Sequence, residues 1–338
     1  MRGREGKLVL SCQQRLGVGT TVFCCQVYII KGTAGSGKST LMKRIGEECE
    51  KMGLAVHRVR CSSDPDSLDG IILPEKNTGI ADGTSPHLLD ADTPIAKEIL
   101  VDAGRYMDEK KLDKEGIILY SRKKKAYYAR AYGFISCGVE ACRIASDIAA
   151  EAIEKEKLTS FAKRFFKKHV STPKKGTVHT RISAAFTGRG TRILNSFPQA
   201  ERVFTLRGGR GTEHLLLNAL YEMGTAEGTD MYISPDATDS RRINGIYFTE
   251  KRVYITLLHQ EKGTEINMAR FFLPNQYAGV KGALKEAREL ANDAYALAEK
   301  NLASAALCHR ELEKRYIAAM DFEPLEQEYN RVIKGLTE

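Results

Sequence analysis

The sequence predicts an α/β fold built twice, as two units with mainly parallel sheets, each followed by a long α-helical hairpin. Three observations predict it. A buried strand runs into a Gly-rich turn and then an amphipathic helix near the start of the chain. The same grammar returns in register about 170 residues later, a period long enough for a whole domain. After each occurrence, Gly and Pro become sparse and Ala, Lys and Glu recur at helical spacing.

The first strand, Cys25-Gln26-Val27-Tyr28-Ile29-Ile30, is rich in β-branched and aromatic residues. Leu41, Ile45 and Cys49 then mark one face of a helix that Gly53 ends. Leu54 to Arg60 reads as a second strand and, after Ile71-Ile72-Leu73, Thr78 to Ala81 reads as a third short strand ending in Asp82. This order implies βαβ crossovers. Ala141, Ile144, Ile148 and Ala152 lie at helical spacing in the following segment. The boundaries expected are residues 1–90 for the first unit, 91–176 for a helical hairpin, 177–275 for the second unit and 276–338 for a closing helical hairpin.

The repeat is visible without gaps. Arg202 to Thr212 (RVFTLRGGRGT) lines up with Gln26 to Ser36 (QVYIIKGTAGS), and Asn244 to Lys251 with Asp69 to Lys76.

Composition sets limits. The chain has 338 residues, 42% hydrophobic and 28% charged, which is ordinary for a soluble protein of two domains. A net charge of +9 suits anionic partners. Eight Cys are scattered without metal-site spacing and read as reduced thiols of a cytoplasmic protein. No window approaches the ~18 apolar residues of a membrane span, and the apolar stretch from Thr21 to Ile30 reads as a strand, so no membrane association is expected.

Gly32-Thr33-Ala34-Gly35-Ser36-Gly37-Lys38-Ser39 fits G-x-x-x-x-G-K-[ST] at every specified position. Glycines let backbone N–H groups converge on phosphates with no Cβ in the way. Lys38 reaches the β- and γ-phosphates, Ser39 ligates Mg²⁺, and Thr40 continues into a helix whose positive end faces the anion. The loop therefore predicts a nucleoside triphosphate, ATP with Mg²⁺, and makes both units P-loop NTPase units by origin. Asp82, at a strand end, is the second expected Mg²⁺ ligand. Asp64, Asp66 and Asp69 follow the second strand and His87 the third, where they could face the γ-phosphate or serve as turn formers. Lys38, Asp82, Asp64, Asp66 and Asp69 are the candidate catalytic residues. Gly83 follows Asp82, where many brisk ATPases place a water-orienting Glu.

The repeated loop is altered. Glu213, His214 and Leu215 stand where Gly37, Lys38 and Ser39 would, and an apolar residue near Leu257 replaces Asp82. Glu213 puts negative charge beside phosphates, so the second site is expected to be degenerate. Arg207 or Arg210 could still lend a cation to a neighbour.

At these residues the chain resembles a family of bacterial tandem P-loop proteins described as predicted ATPases or nucleotide kinases. The resemblance rests on Ile29-Ile30-Lys31-Gly32, on Cys61 to Gly70 (CSSDPDSLDG), on Asp82 to His87 (DGTSPH) and on Glu311 to Phe322 (ELEKRYIAAMDF). It covers most of the chain from about residue 26 and implies a duplicated architecture. The chain departs from it in the second loop and over its first ~25 residues.

Three functions compete. ATP hydrolysis coupled to the helical arm leads. A kinase for a small molecule or nucleotide comes second. The third is a nucleotide-dependent binding module, its basic clusters at Arg122 to Lys125 and Lys163 to Lys168 gripping nucleic acid or protein, although no sequence-reading nucleic-acid motif is present. The long helices would also serve a homodimer. An N-K-x-D guanine-reading motif is absent, which favours adenine.

Overall fold

The computed structural model describes residues 6–13, 18–24, 26–60, 66–84, 89–91 and 93–337. The chain divides into two compact units, residues 1–128 with 302–338, and residues 129–301.

Unit 1 opens with an antiparallel hairpin of β1 (Gly6–Gln13) and β2 (Val18–Cys24). The stretch read as one strand from Thr21 to Ile30 is thus divided between β2 and β3 (Gln26–Lys31). After β3 come α1 (Lys38–Lys51), β4 (His57–Arg60), β5 (Leu68–Leu73), β6 (Thr78–Asp82) and β7 (Glu98–Asp102). They form a five-stranded sheet in the order β4-β5-β6-β3-β7. β3 is parallel to both its neighbours, whereas β5 is antiparallel to β4 and to β6. The sheet is therefore mixed, where a mainly parallel one was expected. Both faces of β3 are covered, so Val27 to Ile30 is one continuous buried run.

Residues 91–113 do not begin the helical hairpin. They carry β7 and two short 3₁₀ turns, and helix starts only with α2 (Lys114–Glu151), followed by α3 (Lys155–His169). Along the second half of α2 the buried seam is Gly138, Ala141, Ala145 and Ala149; Ile144 is exposed. Small residues are required here, because a Cβ on Gly138 would lie 2.8 Å from the Tyr295 ring.

Unit 2 holds β8 (Val178–Thr180), a hairpin of β9 (Ala184–Thr187) and β10 (Gly190–Ile193), then β11 (Arg202–Arg207), α4 (Glu213–Glu227), β12 (Met231–Pro235), β13 (Ile243–Phe248), β14 (Val253–Thr256) and β15 (Thr264–Asn267). Its six-stranded sheet has the order β15-β11-β14-β13-β12-β8. The chain ends in α5 (Pro274–Ile317) and α6 (Glu323–Thr337).

Apart from β8, the second sheet repeats the first. β11 is parallel to β14 and β15, and β13 is antiparallel to β12 and β14. Gly70 pairs with Ala81 as Gly245 pairs with Thr256. Even the irregularity recurs, between Val59 and Arg60 in β4 and between Ser234 and Pro235 in β12.

The final helix of each hairpin belongs to the other half of the sequence. α3 packs on α4 in unit 2, and Leu158, Phe165 and Phe166 join Leu216, Leu220, Phe248 and Ile255 in its core. α6 packs on α1 in unit 1, and Leu325, Val332 and Leu336 join Leu41, Ile45, Ile71 and Ile80. The tie at the helix ends is also repeated. Asp108 N–H donates to Ala319 O and Asp321 N–H to Tyr106 O; Leu273 N–H donates to Ala152 O and Glu154 N–H to Phe271 O, at 2.8–2.9 Å.

Candidate phosphate-binding site

The loop from Gly32 to Ser39 connects β3 to α1 at the carboxyl edge of the first sheet. Gly35 and Gly37 take φ of 74° and 85°, the left-handed region in which a side chain is strained. There is also no room for one, since a Cβ at Gly35 would lie 2.9 Å from Glu313 O and one at Gly37 2.8 Å from Leu325 Cδ2. Ser36 is fully buried and its hydroxyl donates to Thr33 O at 2.9 Å, which braces the turn. Thr33 Oγ1 is buried without a hydrogen-bond partner.

Lys38 folds back over the loop. Its ammonium donates to Thr33 O at 2.7 Å and Gly32 O at 3.3 Å, and lies 3.8 Å from Asp82 Oδ2. Burial pushes the Lys38 ammonium below its ordinary range, while Asp82, Glu313 and Asp69 oppose that shift in decreasing order. Asp82 ends β6, paired directly with Ile30 of β3, which is why a carboxylate at this strand end reaches the loop. Its Oδ1 accepts from Thr84 N–H at 2.8 Å.

Ser39 Oγ accepts from Leu68 N–H at 2.9 Å, so the start of β5 touches the loop. β5 runs opposite to β6, and this brings its first residues, rather than its last, to the shared edge. Asp69 is 9% exposed on β5, and its charge favours the Lys38 ammonium, less than Asp82 and Glu313 do. Asp66 is exposed beside it. Asp64 and His87 lie outside the described residues.

Hard oxygen donors suit Mg²⁺, and Ser39 Oγ on the loop and the Asp82 carboxylate at the end of β6 are donors of that kind. Among the described residues no group of three or more His, Cys, Asp or Glu could hold a metal by itself. The glycine turn, the basic side chain at its centre and the orphan Thr33 hydroxyl all fit a polyphosphate.

Sequence reasoning did not single out Glu313, Ile317, Phe322 and Leu325 as site residues. They come from the end of α5 and the start of α6, and their atoms meet the positions where Gly35 and Gly37 lack side chains. The only signal was their place in or beside the Glu311 to Phe322 motif.

The loop of unit 2 has the same brace, with the Thr212 hydroxyl donating to Gly209 O at 2.6 Å. Its centre is filled differently. The Glu213 carboxylate accepts from Gly209 N–H and Gly211 N–H, both at 2.8 Å. His214 takes the place of Lys38, with Nδ1 2.7 Å from Gly211 O, and burial and then Arg242 push its pKa down, keeping the ring neutral. Arg207 sits 2.9 Å from His259 Nδ1, and Arg210 lies over the Tyr277 ring. A cavity of about 500 Å³ adjoins the loop, lined by Glu213, His214, Asp239, Arg242 and Tyr295 among others.

No helix among the described residues is long and apolar enough to cross a membrane. The described cysteines Cys49, Cys137, Cys142 and Cys308 are free thiols. Comparison with protein-family models, curated proteins and solved structures found no match.

Proposed function

We propose that this chain is a tandem P-loop NTPase that binds Mg·ATP in unit 1 and hydrolyses it, with unit 2 a degenerate copy. The observation that carries the reading is the complete loop from Gly32 to Ser39, set between β3 and α1 with Lys38 3.8 Å from Asp82. Ser39 and Asp82 would hold Mg²⁺, which supplies charge neutralisation at the β- and γ-oxygens. Lys38 and the loop amides would bind the phosphates and orient the terminal one. Duplication is supported by the matching strand order, pairing register and helix-end ties of the two units. Degeneracy of the second loop is supported by Glu213, whose carboxylate holds the amides that a phosphate would need. A cytoplasmic location would suit an ATP substrate and the free thiols of the described cysteines.

Calorimetric titration of the full chain with Mg·ATP, paired with a phosphate-release assay, tests the proposal. One site per chain with release is expected. No binding would overturn the reading, and two sites would overturn the degeneracy of unit 2. Release only upon addition of a phosphoryl acceptor would convert the ATPase to a kinase.

A further inference from the structure

The repeated register allows the two loops to be compared position by position. Strand pairing matches Asp69 with Asn244 and Asp82 with Leu257. The helix-end ties match Ala319 with Ala152, and thereby Glu313 with Ser146. The match is visible in space as well: Gly35 abuts the backbone of Glu313, and Gly211 abuts Ser146.

In unit 1 three carboxylates act on Lys38, namely Asp82, Glu313 and Asp69. Their counterparts in unit 2 are Leu257, Ser146 and Asn244, and the counterpart of Lys38 is a neutral His214. All four charges are absent together from a scaffold that keeps its strand order, its bulge and its braced loop. Carboxylates that served the scaffold would have no reason to vanish with the phosphate-binding lysine. Their joint loss groups Glu313 with Lys38, Asp69 and Asp82 as one working set.

Glu313 also sits beside the loop through its backbone. A Cβ on Gly35 would stand 3.3 Å from Glu313 Cα, so the helix backbone is seated on the loop. Arg315 fixes this turn by pairing with Asp113 and Glu311, each at 2.9 Å. Glu313 Oε1 lies 3.5 Å from His309 Nε2. After Asp82 the chain offers only Gly83, so β6 supplies no second carboxylate there.

We infer that Glu313 is the catalytic carboxylate of unit 1, orienting and deprotonating the water that attacks the γ-phosphorus. The inference rests on the Mg·ATP hydrolysis reading above. Water oxygen bonds to the γ-phosphorus and the bond from that phosphorus to the β,γ-bridging oxygen breaks. The electron pair leaves with ADP, and the water proton passes to the Glu313 carboxylate and then to the released phosphate. General base catalysis of this kind contributes on the order of 10²–10⁴ in rate.

The test uses the full chain with Glu313→Gln and Glu313→Asp, measuring phosphate release, the Kd of Mg·ATP and thermal unfolding. Glu313→Gln should lower kcat about a hundredfold or more, with Kd and Tm near wild type. Glu313→Asp should retain more turnover than the amide. Wild-type turnover by Glu313→Gln would overturn the inference, as would a joint loss of Kd and Tm, which would mark a structural role. Mg·ATP binding by the wild type without phosphate release would also overturn it, yet leave the binding site standing. Absence of binding by the wild type would instead remove the reading on which it rests.

Discussion

Lys38 and Asp82 face each other across the phosphate loop at 3.8 Å, with only 11% and 18% of their side chains exposed. The separation exceeds a hydrogen bond, so Lys38 spends its donors on Thr33 O and Gly32 O instead. Lys38→Ala removes the buried cation that the proposed site offers a phosphate. Triphosphate affinity should fall roughly ten- to a hundredfold, the worth of one charge-assisted contact at about 1.5–3 kcal/mol. Calorimetric titration with Mg·ATP checks it, and unchanged affinity would remove Lys38 from the site.

The protonation of Lys38 should respond to the ligand. Burial lowers its pKa from the ordinary 10.5, against the pull of Asp82, Glu313 and Asp69. Phosphate charge arriving beside it favours the ammonium and raises the value again. Between the lowered value and its raised bound-state value, binding must therefore take up a proton. Titrations at alkaline pH in two buffers of different ionisation enthalpy should give different apparent heats, and Lys38→Met should abolish the difference. In the unliganded chain the sign for stability is the reverse of a salt-bridged lysine. The unfolded state binds more protons over the window from the lowered pKa to 10.5, so this residue's contribution rises with pH there.

The turns of the Gly32 to Ser39 loop were legible because its left-handed positions are written in glycines. The strand before it, the helix after it and Asp82 all lie within one local stretch. Strand direction was not legible: the apolar run Ile71 to Leu73 reads the same whether it lies parallel or antiparallel to β6. β7 was missed because its apolar run is only Ile99 to Val101, bounded by Glu98 and Asp102. The helical stripe chosen on α2 was only partly right, since the buried seam runs through Gly138, Ala141, Ala145 and Ala149, with the Tyr295 ring against Gly138, while Ile144 is exposed. Glu313 sits in the charged run Glu311 to Arg315, where nothing but packing distinguishes one carboxylate from the next.

The seat of α6 on α1 was equally invisible, because it joins the end of the chain to its first helix. Leu336 is 2% exposed within the unit 1 core, whereas the bidentate Arg44–Glu326 pair lies on the surface. Leu336→Ala should therefore cost about 2–5 kcal/mol. Glu326→Ala should leave the unfolding midpoint nearly unchanged, since solvent screens an exposed pair. Urea unfolding of both variants checks the contrast. Equal effects would mean that α6 is held by its ion pair and not by its apolar face.

Glu213 has no counterpart side chain in unit 1, where Gly37 occupies the position. Its carboxylate takes two backbone N–H groups at 2.8 Å and stands at the first turn of α4, where the helix dipole favours negative charge. Glu213→Ala leaves both amides without that acceptor and should destabilise the protein by about 1.5–3 kcal/mol. It should not create a second nucleotide site, because His214 remains neutral and Leu257 still stands where Asp82 would hold the metal. Unfolding measurements and the Mg·ATP stoichiometry of the variant decide between the two roles of this residue. Lower stability with one site per chain fits a carboxylate that replaces phosphate structurally. A second site appearing in Glu213→Ala would mean that this single side chain was the whole barrier, and that unit 2 retains the rest of a binding pocket.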